Sequence, residues 1–297
     1  MRINGLIAAP VTPFKENGDI DPEKIKIYAD SLKQDGVSGV FVNGTTGEGF
    51  SLTIDERKVL AEAWTLEKSV NFKVIIHTGH TSIRSTIDLA EHAESLGADA
   101  VGEMGPIFFK PATENELAKY CRETASVTNL PYYYYHMPSM NGLDFSMTKF
   151  LKCADIPNLC GVKYTHHDLE DFNKCQKLEN NKYDMLWGRD ETLIKALKIG
   201  TNGAVGSTYN SFCPLYLNLI EEYKNDKIEN AEYLQQQSID IINILAKKAF
   251  FSALRHSLRI KGIETGEPRQ PLIALDKSEK KSLENRLKFY VDHYIQA

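Results

Sequence analysis

Residues 159–167 read LCGVKYTHH. Leu159, Cys160, Val162 and Tyr164 make an apolar, strand-like run, yet Lys163 lies within it and two histidines follow. Similar runs recur along the chain, each followed by turn residues and then by a stretch of helical spacing. Upstream they are GLIAAP (5–10), GVFVNG (39–44), FKVIIHTG (72–79), ADAVGEMGP (98–106) and LPYYYYHMP (130–138). Downstream they are YDMLWG (183–188) and GAVGS (203–207). Continuous apolar strands separated by helices indicate parallel strands covered on both faces. Eight such units in about 210 residues predict an α/β fold, the (β/α)8 TIM barrel. A doubly wound sheet is the runner-up, but no G-x-G-x-x-G turn follows a strand.

Helix signals agree with that order. Asp21 is expected to cap a helix with Pro22 at its first position, Ile25, Tyr28, Ala29 and Leu32 on its buried face and Gly36 as its stop. TIDE (53–56) and TENE (113–116) read as capping boxes. DGVSGV, LGADAV and IGTNGAV each place glycine at a helix end just before a strand. From residue 213 onward strand signals stop, and helical stretches flank GIETGEPRQPL. The expected organisation is a barrel over residues 1–212 and a C-terminal helical extension, 213–297, packed on it as one compact unit.

Composition narrows the function. The chain has 297 residues, 42% of them hydrophobic and 25% charged, enough for a large core without disulfide or metal staples. A net charge of −5 with no basic block argues against nucleic acid and against an anionic membrane surface. The cysteines (Cys121, Cys153, Cys160, Cys175, Cys213) form no C-x-x-C pair, which disfavours a disulfide framework and a thiolate zinc site. Reduced thiols fit a cytoplasmic protein. No run approaches the ~18 apolar residues of a membrane span, so the Asn43-Gly44-Thr45 sequon is read as a chance match.

In a barrel the chemistry sits at the C-terminal ends of the strands. Thr12, NGTTGEG (43–49), His77 to Gly79, Phe108, Tyr135 with His136, Lys163 to Thr165, GRDE (188–191) and GSTYN (206–210) all fall there. A strand-end lysine taken alone snorkels to water. Inside a barrel it is desolvated, its pKa falls, and the free amine attacks a carbonyl. With a ketone it forms an iminium, an electron sink that needs no metal. Tyr135, at the end of the preceding strand, is the candidate proton shuttle, and strand alternation sends Tyr133 and Tyr135 to one face. The N–H groups of NGTTGEG with Thr45 and Thr46 suit a carboxylate, or else make a plain βα turn.

His166 and His167 are set aside as metal ligands. Neighbours in an extended stretch point opposite ways, and no His-x-x-x-His or cysteine partner is near. Asp168 is expected to cap the next helix. Asp190 and Glu191 read as acids favoured at a helix N-terminus, or as hydroxyl-binding groups at the mouth.

Taken together, NGTTGEG, YYHMPSMNG, GVKYT, GRDE and GAVGSTYN resemble the N-acetylneuraminate lyase and dihydrodipicolinate synthase group of class I aldolases, over essentially the whole chain. The resemblance implies that Lys163 is the Schiff-base lysine, Tyr135 moves the proton, and Thr45 and Thr46 hold the pyruvate carboxylate. It implies that Thr165, Gly188, Asp190, Glu191 and Ser207 hold the sugar portion. The implied reaction is reversible cleavage of N-acetylneuraminate, a sialic acid, to pyruvate and N-acetylmannosamine, without cofactor or metal, in a homotetramer. Two positions depart from the synthase branch. Met140 stands where synthases carry an arginine, which disfavours a second carboxylate substrate, and Phe108 stands where they carry a relay tyrosine, which leaves proton traffic to Tyr135 and to a substrate group or water. The rival readings are an aldolase for a shorter 2-keto acid, a metal-dependent aldolase and a non-catalytic keto-acid sensor.

Overall fold

The computed structural model describes residues 2–295. Eight parallel strands close into a barrel in chain order. They are β1 (Gly5–Ala8), β2 (Gly39–Val42), β3 (Lys73–His77), β4 (Ala100–Met104), β5 (Tyr132–His136), β6 (Leu159–Tyr164), β7 (Asp184–Trp187) and β8 (Gly203–Gly206). β8 closes onto β1 with Gly5 opposite Gly203 and Ala8 opposite Gly206. The helices between strands are α1 (Ile25–Gln34), α2 (Ile54–Thr65), α3 (Ile83–Ser95), α4 (Glu114–Ala125), α5 (Pro138–Asn141), α6 (Met147–Cys153), α7 (Leu169–Lys177) and α8 (Leu193–Lys198). After β8 come α9 (Tyr209–Lys224), α10 (Ile228–Ala246), α11 (Phe250–Ile260) and α12 (Lys277–Tyr294). The backbone of α9 leaves helical geometry at Phe212, two residues before Pro214. Among the described residues, no helix is long and apolar enough to cross a membrane.

The strands bury two apolar faces. Ile7, Phe41, Ile75, Met104, Tyr133, Tyr135, Leu186 and Val205 fill the barrel interior. Val40, Val42, Val74, Val101, Tyr132, Tyr134, Val162 and Tyr164 pack outward under the helices. The alternation expected for the tyrosine run is therefore present.

One feature of β6 is invisible to simple alternation. Leu159, Val162 and Tyr164 all pack outward, which a strict period of two cannot achieve from 159 to 162. The register with β5 slips between Tyr132 and Tyr133, so that Tyr132 faces Leu159 but Tyr133 faces Gly161. The extra residue resets the phase, as a bulge does, and leaves Lys163 opposite Tyr135. Gly161 is needed there, because a Cβ would stand 1.8 Å from the Asp184 carbonyl oxygen.

Local capping follows the sequence in part. Thr53 and Glu56 form a full capping box. At α4 only half forms: Thr113 accepts from Glu116 N, while the Glu116 carboxylate accepts from Ala112 N. Asp21 makes no side-chain cap, and Pro22 opens a 3-10 turn before α1. Asp168 caps α7, its carboxylate accepting from Asp171 N at 2.9 Å.

The C-terminal helices are tied to the loop after β2. Glu48, in left-handed conformation at φ 56, forms an ion pair with Arg255 of α11, both side chains 2% exposed. Arg255 also donates to the carbonyls of Thr12 (2.8 Å) and Thr265 (2.7 Å), and Glu48 accepts from Arg269 N at 3.0 Å. Removing one member of a buried pair leaves an uncompensated charge. Arg255→Met should therefore lose about 3–5 kcal/mol of stability in urea unfolding, and Glu48→Gln/Arg255→Met should recover part of it.

Candidate active site

A cavity of about 430 Å³ opens at the C-terminal ends of the strands. Its lining contains every candidate site residue: Thr45 and Thr46 after β2, Tyr135 on β5, Lys163 on β6 with Thr165 beyond it, Gly188, Asp190 and Glu191 after β7, and Ser207 after β8. A larger cavity, about 750 Å³, lies between the 15–18 turn, α11 and the 264–270 loop. Two of the arginines lining it are engaged by Glu48 and Glu56.

Lys163 is 4% exposed. Its Nζ lies 3.8 Å from the centre of the Tyr135 ring and 4.0 Å from that of Phe41. Burial lowers its pKa to about 7, against the opposing pull of Asp190. The amine therefore gives up its proton far more readily than an exposed lysine does, which suits a nucleophile.

Tyr135 donates to the Met137 sulfur at 2.9 Å and lies 3.4 Å from the Thr45 hydroxyl. Burial pushes its phenol up to about 12, and the Thr45 and Thr165 hydroxyls hold that rise back. Thr46 and Ser207 share a hydrogen bond of 2.8 Å across the mouth. Within the NGTTGEG turn, Glu48 N donates to Thr45 O and Gly49 N to Gly44 O. The Thr165 hydroxyl is buried near the Tyr135 phenol and makes no hydrogen bond of ordinary geometry. Gly188 allows this close approach, since a Cβ there would fall 2.0 Å from Thr165 Oγ1.

Asp190 and Glu191 occupy different settings. Asp190 is buried; one oxygen accepts from Thr208 N (2.9 Å) and the Thr208 hydroxyl (2.6 Å). Burial raises its pKa to about 6, partly offset by those two bonds. Its other oxygen sits over Gly206, where a Cβ would come within 2.1 Å. Glu191 is half-buried and accepts from Arg189 at 2.6 Å. Gln235 of α10 donates to the Asp190 carbonyl at 3.1 Å, so the helical extension braces this turn.

Several lining residues escaped the sequence reading. Arg189 lay in plain sight within GRDE, and Ser139 within PSM. Ile242, Phe250 and Phe251, from α10 and α11, complete the wall; their spacing reads as ordinary helix core and carried no signal. Met140 and Phe108 are 52% and 77% exposed and outside the lining. His166 and His167 do not point opposite ways: their rings lie 4.1 Å apart, because β6 ends at Tyr164 and both sit in a bend. Among the described residues, no group of three or more histidine, cysteine, aspartate or glutamate side chains is arranged to hold a metal ion.

The model of the dihydrodipicolinate synthetase family matches residues 2–290. The chain belongs to that family. Within it, the chain is similar to the human N-acetylneuraminate lyase, at 37% identity over 97% of this chain and 92% of the relative. Solved structures lie close as well. The Proteus mirabilis N-acetylneuraminate lyase superposes with a TM-score of 0.94 at 39% identity, covering 97% of this chain and 99% of its own. The N-acetylneuraminate lyase (sialic acid aldolase) from Aliivibrio salmonicida gives 0.95 at 35% identity, covering 99% of both chains.

Proposed function

We propose that this protein is a Schiff-base aldolase that reversibly cleaves N-acetylneuraminate to pyruvate and N-acetylmannosamine. The observation that carries the reading is the pairing of Tyr135 with Lys163 across β5 and β6, with the amine held near neutrality in a pocket of hydroxyls. The similarity to N-acetylneuraminate lyases supports the choice of sugar.

In this reading Lys163 Nζ attacks the C2 ketone of the open-chain sugar, and loss of water gives an iminium. Tyr135 relays the proton released by the C4 hydroxyl. The C3–C4 electron pair then moves into the iminium, leaving an enamine that is protonated at C3 and hydrolysed to pyruvate. Thr45 and Thr46 hold the carboxylate, while Thr165, Gly188, Asp190, Glu191 and Ser207 hold the sugar portion. Glu191, with Arg189 fixing its carboxylate, has the more open position for tail hydroxyls. Glu191→Gln should raise KM for the sugar about tenfold, as loss of one charged hydrogen bond does, while pyruvate half-saturation stays within twofold.

The enzyme works in the cytoplasm as a homotetramer, and its chain divides into a barrel of residues 1–212 and an extension of residues 213–297. Exposed Phe108 and Phe109 are consistent with a surface covered in the assembly, and light scattering at four chain masses would bear this out. The direct test of function is release of both products from N-acetylneuraminate after exhaustive chelation. Loss of activity on chelation would favour a metal-dependent aldolase. Turnover of only short 2-keto acids would discard the sugar.

A further inference from the structure

Arg57, on α2, is 0% exposed. Its guanidinium donates to the carbonyls of Gly79 (2.9 Å) and His77 (2.6 Å), and its Nε has no partner. Among the described residues no carboxylate pairs with it; burial is the one cause of its shift, down to about 10. It is therefore a full positive charge at neutral pH, in a place where an unpaired charge is costly. Such a group persists where something else balances it.

Its surroundings lead toward the pocket. His77 Nδ1 lies 3.3 Å from Arg57 Nη2, and the His77 ring stands edge-on to Tyr135 at 6.0 Å. Tyr135 and Phe41 in turn flank Lys163 Nζ. His77 is pushed well below its ordinary value, by burial first and then by Arg57 and Lys163, so it stays neutral and cancels nothing. Asn43, which opens the NGTTGEG turn, donates to the Arg57 carbonyl at 2.9 Å. The Arg57 backbone is thus tied to the threonine turn, and its guanidinium is one ring, that of His77, away from the tyrosine. Arg57 stands behind the lining, and the charges that do line the pocket are spoken for: Arg189 pairs with Glu191, Asp190 is held by Thr208, and Lys163 is needed as a free amine.

We propose that Arg57 is the buried counter-charge of the site, a positioning residue whose fixed positive charge draws the carboxylate of a 2-oxo acid onto the Thr45–Thr46 turn. The same charge favours the step in which the cationic iminium takes up the C3–C4 electron pair and becomes a neutral enamine. This rests on the reading of Lys163 given above. For two unit charges ~10 Å apart at an effective dielectric near 20, Coulomb attraction amounts to about tenfold in affinity.

The test is borohydride trapping on Lys163, with half-saturation measured for pyruvate and for hydroxyacetone, an uncharged ketone of similar size. Arg57→Met should weaken pyruvate about tenfold and leave hydroxyacetone within twofold. Arg57→Lys keeps the charge but cannot span both carbonyls, and it should retain the preference for pyruvate even if the methionine variant fails to fold. Equal weakening of both ketones in Arg57→Met, or loss of the preference for pyruvate in Arg57→Lys, would mean that Arg57 only holds the fold, and the inference would fall. An unchanged pyruvate value in Arg57→Met would overturn it as well. Absence of any pyruvate adduct on wild-type Lys163 is a different result, and sinks the reading of the site itself.

Discussion

Lys163→Ala is expected to form no borohydride-stable adduct with pyruvate or with N-acetylneuraminate, and to lose turnover by on the order of 10⁴-fold or more. The size of the effect follows from covalency: without the amine there is no iminium to accept electrons from the breaking C–C bond. The fold should survive, since Nζ has no hydrogen-bond or ion-pair partner among the described residues and rests on the Tyr135 and Phe41 rings. Replacing it by a methyl group removes a desolvated amine rather than a structural link. The same amine sets a pH dependence. Its pKa is lowered to about 7 by burial, so the free-base fraction, and with it the rate of adduct formation, should rise as pH passes upward through about 7. An ordinary lysine would place that rise near 10.5.

Tyr135→Phe should slow turnover by about 10²–10⁴-fold, the usual range for a lost general acid–base group, with pyruvate trapping on Lys163 largely intact. The ring that packs against Lys163, Phe41 and His77 is retained in this variant. Only the hydroxyl that reaches Met137 and Thr45 is lost. Rapid-quench measurement of the cleavage step would separate this from an effect on binding. Near-normal turnover would remove Tyr135 from the proton route.

The barrel was legible because its strands are continuous apolar runs bounded by glycine-rich turns, a local signal that needs no long-range information. The grouping of the candidate residues was legible for a related reason: polar residues at the ends of such strands have one mouth to share. What stayed hidden depended on tertiary contacts. The bulge at β6, which turns Lys163 inward, exists in the register with β5 and not in the residues of β6 alone. The pairing of Glu48 with Arg255 joins residues 207 apart in sequence, and so Glu48 read as part of a turn and not as the anchor of the C-terminal helices. Phe250 and Phe251 look like helix core until α11 is seen against the pocket. Asp21 failed as a cap because Pro22 opened a 3-10 turn, a choice that propensity does not resolve.

The central claim is that Lys163 condenses with the keto group of a sialic acid and cleaves it. Peptide mass after incubation with N-acetylneuraminate and borohydride tests this most directly. A pyruvate-sized increment on the Lys163 peptide is the expected result, because it requires both the nucleophile and the C3–C4 cleavage. An unmodified Lys163 peptide, alongside a protein that still consumes the sugar, would contradict the account.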